Sequence, residues 1–77
     1  MKQSTMQGIT SYINDHIDPG GFLYAVLSND LRESFGRADE QNREDMFAIV
    51  SWLYCNAPMN CWGSAEKVAA WLSVAPE

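Results

Sequence analysis

The sequence predicts an all-α fold: a small, compact bundle of three to four helices, in its simplest form four. Apolar residues recur every three or four positions in four separate segments, as on the buried side of a helix. No stretch alternates apolar and polar residues as a half-buried strand does, and the short connections between segments favour antiparallel neighbours. The 77 residues suit one helical domain, 1–77, and leave no length for a second.

The first predicted helix runs from Ser4 to Ile17. Its apolar stripe consists of Met6, Ile9, Ile13 and Ile17, with Tyr12 beside them. Ser4 or Thr5 can cap the N-terminus, because their hydroxyl oxygens accept hydrogen bonds from the first backbone N–H groups. The sequence DPGG at 18–21 ends the helix, since the residue before proline avoids helical geometry and two glycines follow.

The second predicted helix covers residues 22–35. Its stripe consists of Phe22, Leu23, Val26, Leu27, Leu31 and Phe35. The sequence SND at 28–30 is poor in a helix interior and good at a cap, so two short helices broken there are the alternative. A single helix with a kink is the preferred prediction, and Gly36 fits the position just after its end.

A polar connector, residues 38–43, leads into the strongest predicted helix. The stripe of this central helix consists of Met46, Ile49, Val50, Leu53 and Tyr54. Four acids lie around its start, where the helix dipole favours negative charge: Asp39, Glu40, Glu44 and Asp45. Phe47 and Trp52 fall outside the stripe, so the helix is apolar nearly all round after residue 45. Such a helix is buried on several sides or presents a face to a partner.

Pro58 ends the central helix, because proline cannot continue its hydrogen bonds. Ser64 is the predicted N-cap of a last helix, with Glu66 in its first turn. The apolar side of this helix consists of Val68, Trp71, Leu72 and Ala75. Pro76 closes it, which brings the number of predicted helices to four.

Ten acidic residues against five Lys and Arg give the chain a net charge of −5. Because neutralised phosphates carry most nucleic-acid affinity, direct DNA or RNA binding is not expected. The longest apolar run, Phe22 to Leu27, is far shorter than the ~20 residues that cross a bilayer, and residues 1–5 lack the layout of a secretory signal. The sequence therefore predicts a soluble, intracellular protein that binds no membrane.

No group of residues predicts catalysis, a metal or a cofactor. Cys55, Cys61 and the distant His16 lack the paired spacing of zinc ligands, and no motif joins His16 to a nucleophile. The acids at 39–45 lack the ligand spacing of an EF-hand loop, and the glycines at 20–21 lack the strand and the Lys-Ser/Thr of a phosphate loop. Both cysteines are expected to be reduced in a cytosol, and a disulfide between them requires an oxidising compartment. The chain is predicted not to be an enzyme.

The predicted partner-binding surface combines two tryptophans with the four acids. Trp71 and Tyr54 lie on core stripes, whereas Trp52 and Trp62 are expected to reach the surface, where aromatic residues mark interfaces. Acidic side chains speed association with a basic partner. The surface consists of Asp39, Glu40, Glu44, Asp45, Trp52 and Trp62.

Several stretches resemble a known group of proteins. They are GGFLYAVLSNDL at 20–31, FGRAD at 35–39, IV at 49–50, LYCNAP at 53–58 and CWGS at 61–64, with Val68 and Trp71 after them. Together, over residues 7 to 72, they resemble the small uncharacterised proteins encoded by tailed bacteriophages and by prophages in bacterial genomes. The resemblance implies a phage accessory protein made in the cytoplasm of the bacterial host, rather than a virion part, and it implies no functional residues.

Two functions follow as hypotheses. In the first, the chain is a non-enzymatic binding module that modulates a host or phage protein, most simply by inhibition. A basic protein of a defence or nucleic-acid-handling complex fits the acidic surface, and a domain of this size can supply one standard interface of about 800 Å² per partner. In the second, the chain is a homo-oligomeric adaptor, a homodimer in which the apolar central helix pairs with its copy.

Overall fold

A computed structural model describes residues 1–74, and within them the chain forms six α-helices and one short 3-10 helix. The helices are α1 (Gln3–Asp15), α2 (Gly21–Leu27), α3 (Leu31–Arg37), α4 (Glu40–Glu44), α5 (Met46–Asn56) and α6 (Ala65–Leu72), with the 3-10 helix Met59–Cys61 before α6. The all-α prediction is confirmed, since these residues contain no strand, but the predicted number of helices, three to four, is too low. Ala75 and Pro76, predicted at the end of the last helix, lie outside the described residues.

The preferred prediction of a single helix over residues 22–35 is wrong, and the alternative of two short helices broken at 28–30 is confirmed, because the chain turns after α2. Asn29 adopts the left-handed conformation, with φ 63°, which asparagine tolerates better than most residues. The Asp30 carboxylate then accepts a hydrogen bond from the backbone N–H of Glu33, at 3.2 Å, and so caps α3. At these polar positions local side-chain bonds outweigh a continued helix. As a result α3 leaves the axis of α2 and packs against it.

Most of the polar connector predicted at residues 38–43 belongs to a helix of its own, α4, which extends to Glu44. The Asp39 carboxylate caps it by accepting a hydrogen bond from the backbone N–H of Asn42 at 2.8 Å. Asn42 is itself buried, and its side-chain oxygen accepts a hydrogen bond from the Thr5 hydroxyl at 3.2 Å. The predicted cap of α1 is therefore wrong: Thr5 joins α1 to α4, and the N-cap is Lys2, which uses no side chain for it.

One cluster of buried side chains lies at the centre of the described chain. It consists of Ile9, Tyr12, Leu23, Val26, Leu27, Met46, Ile49, Leu53, Cys61 and Val68. These residues come from α1, α2, α5, the 3-10 helix and α6. The remaining two helices contribute none of them, and each packs on a neighbour, α3 on α2 and α4 on α5.

Hydrogen bonds tie the end of α1 to the last part of the fold. The Tyr12 hydroxyl donates to the carbonyl oxygen of Cys61 at 2.7 Å, and the indole N–H of Trp71 donates to the carbonyl oxygen of Tyr12 at 2.8 Å. His16, left-handed at φ 58°, ends α1, and its Nδ1 lies 2.8 Å from the carbonyl oxygen of Trp71. The rings of His16 and Trp71 pack together, with 4.5 Å between their centroids. His16 is thus the C-cap residue of α1.

The start of α6 follows the prediction. The Ser64 hydroxyl accepts a hydrogen bond from the backbone N–H of Lys67 at 3.2 Å, which confirms Ser64 as the N-cap. Just before it, Gly63 has φ 112°, a conformation that other residues rarely adopt. Its N–H donates to the carbonyl oxygen of Leu27 at 2.7 Å, so this glycine joins the approach to α6 to the end of α2.

A substitution at Gly36 tests where α3 ends. The sequence places it after the helix end, where a left-handed glycine is favoured, but it lies inside α3, and a Cβ built there meets nothing within 4 Å. Gly36→Ala is expected to raise the free energy of unfolding by about 0.5–1 kcal/mol, because alanine loses less backbone entropy in a helix. Urea unfolding followed by circular dichroism measures it. A loss of stability instead would put Gly36 back at a left-handed helix end.

Candidate protein-interaction surface

Helix α5 is apolar on two sides, and only one of them is buried. The buried side consists of Met46, Ile49 and Leu53. The exposed side consists of Phe47, Val50 and Tyr54. The sequence assigns Val50 and Tyr54 to the core stripe, and this prediction is wrong: Tyr54 is 82% exposed. Where apolar residues surround a helix, periodicity does not define which side the rest of the chain covers.

The exposed side of α5 continues onto its neighbours as one surface, the apolar face. It consists of Leu31, Phe35, Phe47, Val50, Tyr54 and Met59. The first five line a groove between α3 and α5, and the last two line a second groove beside it. Phe47 is 85% exposed and Leu31 69%. The six side chains together expose on the order of 700 Å², more than the roughly 300–600 Å² of the largest apolar patch on a typical monomer.

Leu31 and Phe35 reach this surface because of the break after α2. In one continuous helix they would share the buried stripe with Leu23 and Leu27. Helix α3 has its own axis, and on it both residues are exposed. The sign of this change in the sequence is the polar stretch at 28–30, whose residues favour caps over helix interiors.

The two tryptophans of the predicted surface are half-buried. Trp52 and Trp62 both pack against the core, so neither is as exposed as the sequence suggests. Trp62 lines the groove beside Tyr54 and therefore borders the apolar face. Trp52 lies about 150° around α5 from Phe47 and Tyr54, at ~100° per residue. It therefore does not border the apolar face. The structure brings only one of the two tryptophans to the apolar face, and a binding role for either stays a prediction.

Asp39 has a structural role. Its carboxylate pairs with the Lys2 ammonium group and accepts the hydrogen bond from the backbone N–H of Asn42. The bond from Lys2, followed by that from Asn42, lowers the pKa of the Asp39 carboxyl below its ordinary value. A carboxyl whose pKa is lower in the folded than in the unfolded chain stabilises the fold at pH values above the unfolded pKa. This stabilisation is lost as the pH falls through the folded pKa. At neutral pH Asp39 therefore stabilises the junction between the start of α1 and α4.

The other three predicted acids differ in their surroundings. Asp45 accepts a hydrogen bond from the Gln41 side chain at 3.0 Å and lies 3.6 Å from the N-terminal amino group. Glu40 and Glu44 are exposed, and neither has an ion-pair partner among residues 1–74. Two acids are thus available to a partner just before α5, with Glu44 three residues ahead of Phe47. Their role in binding stays a prediction.

The two cysteines are free thiols in different surroundings. Cys61 is buried, and burial raises the pKa of its thiol. Cys55 is exposed and lines the groove between α3 and α5. Across the described part of the chain, no three His, Cys, Asp or Glu side chains are grouped so that they could hold a metal ion.

Fold and surface together define a class: a small all-α protein with a large exposed apolar face. Up to residue 74, no helix combines the length and the hydropathy that spanning a bilayer requires. The chain matches no protein-family model, and no curated protein or solved structure is significantly similar to it. The resemblance to phage-encoded proteins stays a prediction.

Proposed function

We propose that this chain is a non-enzymatic interaction protein: an accessory protein of a phage or prophage that binds a host or phage protein in the bacterial cytoplasm and modulates it, most simply by inhibition. The observation that carries the proposal is the apolar face. Apolar side chains in water are unfavourable in proportion to their area, and contact with another protein removes that area from water. A surface of this size is what an interaction protein presents.

The residue types of the apolar face also support binding. Phe47 and Tyr54 present large rings that lose little conformational entropy on contact, and tyrosine is among the residues that dominate interface energetics. Met59 is 83% exposed and has a flexible, polarizable side chain that adapts to a partner's shape. The area of the face approaches the ~800 Å² that each partner contributes to a standard interface.

The two exposed acids favour a basic partner, such as a protein of a nucleic-acid-handling or defence complex. Glu40 and Glu44 lie just before α5, close in the chain to Phe47. Acidic side chains at the rim of an interface speed association more than they strengthen the final complex. Trp62 borders the face beside Tyr54 and adds a partly exposed ring there.

Capture from bacterial cytosol tests the proposal. The full chain is immobilised beside a double variant, Phe47→Ser with Tyr54→Ser, and a control, Ile17→Ser, which changes a 54% exposed residue outside the apolar face. The unchanged chain and the control are expected to retain the same protein, identified by mass spectrometry, and the double variant to lose it. Retention of that protein by all three chains, or of no protein by any, contradicts the proposal.

A second double variant separates the acids from the apolar face. Glu40→Lys with Glu44→Lys reverses both exposed charges, and Glu66→Lys makes the same kind of change on α6. With the captured partner, the first variant is expected to associate more slowly and with weaker salt dependence, while its dissociation rate changes little. Equal association rates for the two variants would leave the acids without a role in binding.

A further inference from the structure

The exposed side of α5 has a spacing that fits a second copy of the same helix. Phe47 and Tyr54 lie seven residues apart, about two turns, and therefore on one line along the helix. Val50 and Ser51, midway between them, lie on opposite sides of that line at ~100° per residue. All four residues line the groove between α3 and α5.

The geometry points to a homodimer in which two α5 helices pack antiparallel about a two-fold axis passing between Val50 and Ser51. Phe47 of each copy then meets Tyr54 of the other. The two Val50 side chains lie beside the axis on one side of the contact, and the two small Ser51 side chains lie on the other side and let the helices approach. Such a contact is isologous: the same surface serves both copies. The inference rests on the proposed function in one respect, that the apolar face is a protein-binding surface; a second copy and another protein then compete for this face, and the dimer must dissociate before the other protein binds.

The area of the apolar face matches what a stable dimer needs. On the order of 700 Å² from each copy approaches the ~800 Å² per partner of a standard interface, and homodimer interfaces are the more apolar ones. A chain of 77 residues buries a smaller fraction of its surface on folding than a larger domain does, so association adds burial that it lacks. Leu31 and Phe35 extend the contact as the far wall of the groove that receives the second helix.

The charge of the chain determines how the dimer responds to salt. Each copy carries −5, so two copies repel each other. Salt screens this repulsion, with a Debye length of about 10 Å at 0.1 M, but does not weaken the burial of apolar side chains. Dimerisation is therefore expected to tighten as ionic strength rises. A complex of the exposed acids with a basic partner would respond in the opposite direction.

Sedimentation velocity of the full chain, over a wide range of concentrations and with a reductant present, tests the dimer. The mass is expected to rise with concentration to twice 8.6 kDa. Phe47→Ser is expected to raise the dissociation constant by about tenfold or more, whereas Ile17→Ser leaves it unchanged. Both positions are exposed. Circular dichroism of each variant serves as the control that its helices are retained. A mass of 8.6 kDa at every concentration, or equal dimerisation by both variants, overturns the inference.

A disulfide test examines the arrangement of the two helices. With helix axes 8–10 Å apart, the two Cα atoms at position 51 come within about 6 Å of each other, inside the range that a disulfide spans. The two Cys55 residues are about 13 Å apart along the helices, at 1.5 Å per residue, which is too far. Ser51→Cys with Cys55→Ser is therefore expected to cross-link when diamide oxidises the thiols, and the unchanged chain is not. A variant that fails to cross-link, or an unchanged chain that cross-links through Cys55, overturns the antiparallel arrangement.

The two proposals fail separately in these experiments. A chain that stays monomeric but retains a host protein through Phe47 and Tyr54 overturns the dimer and keeps the proposed function. A dimer that retains no host or phage protein supports the inference and overturns that function.

Discussion

Replacing Ile49 by Ala is expected to lower the free energy of unfolding by about 2–5 kcal/mol. Ile49 is fully buried, with 0% of its surface exposed, in the cluster that α1, α2, α5 and α6 share. The substitution removes apolar contacts and leaves a cavity that the surrounding helices fill only in part. Because small domains have a total stability of about 5–15 kcal/mol, this single change removes a large share of it.

The matched control is Ile17→Ala. Ile17 is 54% exposed and lies beyond the end of α1, so the same truncation there costs less than about 1 kcal/mol. Urea unfolding followed by circular dichroism measures both variants, at one fixed protein concentration because association adds to apparent stability. Equal losses at the two positions would mean that α5 turns a different side to the core.

Tyr12→Phe is expected to lower the free energy of unfolding by about 1–3 kcal/mol. Tyr12 is fully buried, and its hydroxyl donates a 2.7 Å hydrogen bond to the carbonyl oxygen of Cys61. Phenylalanine keeps the ring in place but deprives that oxygen of its donor, so the variant isolates one hydrogen bond. The control is Tyr24→Phe, since Tyr24 is 38% exposed and water can reach it. A loss at Tyr24 as large as that at Tyr12 would contradict this account.

The dependence of the free energy of unfolding on alkaline pH gives a second test of the role of Tyr12. Burial, with smaller contributions from Cys61 and Tyr24, raises the pKa of Tyr12 above its ordinary value of 10.0. The contribution to stability is fully present below pH 10.0, where Tyr12 is neutral in both states. Above it the unfolded chain loses the phenolic proton while the folded chain keeps it, so stability falls as the pH rises. The free energy of unfolding of Tyr12→Phe is expected to fall less steeply there, and parallel curves for the two chains would contradict the assignment.

The parts of the fold that can be predicted from the sequence depend on residues within about one helical turn. The cap at Ser64 needs only the hydroxyl and a nearby N–H, and the ends of α1 differ from the prediction by one and two residues. The break at Asn29 is only the alternative prediction and the separate helix α4 is not predicted, because caps at Asp30 and Asp39 compete with an apolar pattern that continues past them. Each cap stabilises its helix by about 1 kcal/mol. The spacing of apolar residues carries no information about this contribution.

The candidate surface is predictable only in part, because it depends on which side of a helix the rest of the chain covers. An apolar helix with a face for a partner follows from the sequence of α5. That Tyr54 is exposed while Trp52 packs on the core follows only from tertiary packing. The acids show the same limit: Asp39 and Glu40 are neighbours in the chain, but only Asp39 pairs with Lys2, 37 residues away.

The hydrogen bonds of α1 also bear on the order in which the chain folds. Thr5 bonds to a residue 37 positions away, and Tyr12 bonds to residues 49 and 59 positions away. Closing such long loops costs chain entropy before the contacts return any stability. Helices α2 and α3, by contrast, meet across a link of three residues. We expect α2 and α3 to pair early in folding and α1 to dock late, so that its detachment is the first opening through which the amide hydrogens of the core exchange with solvent.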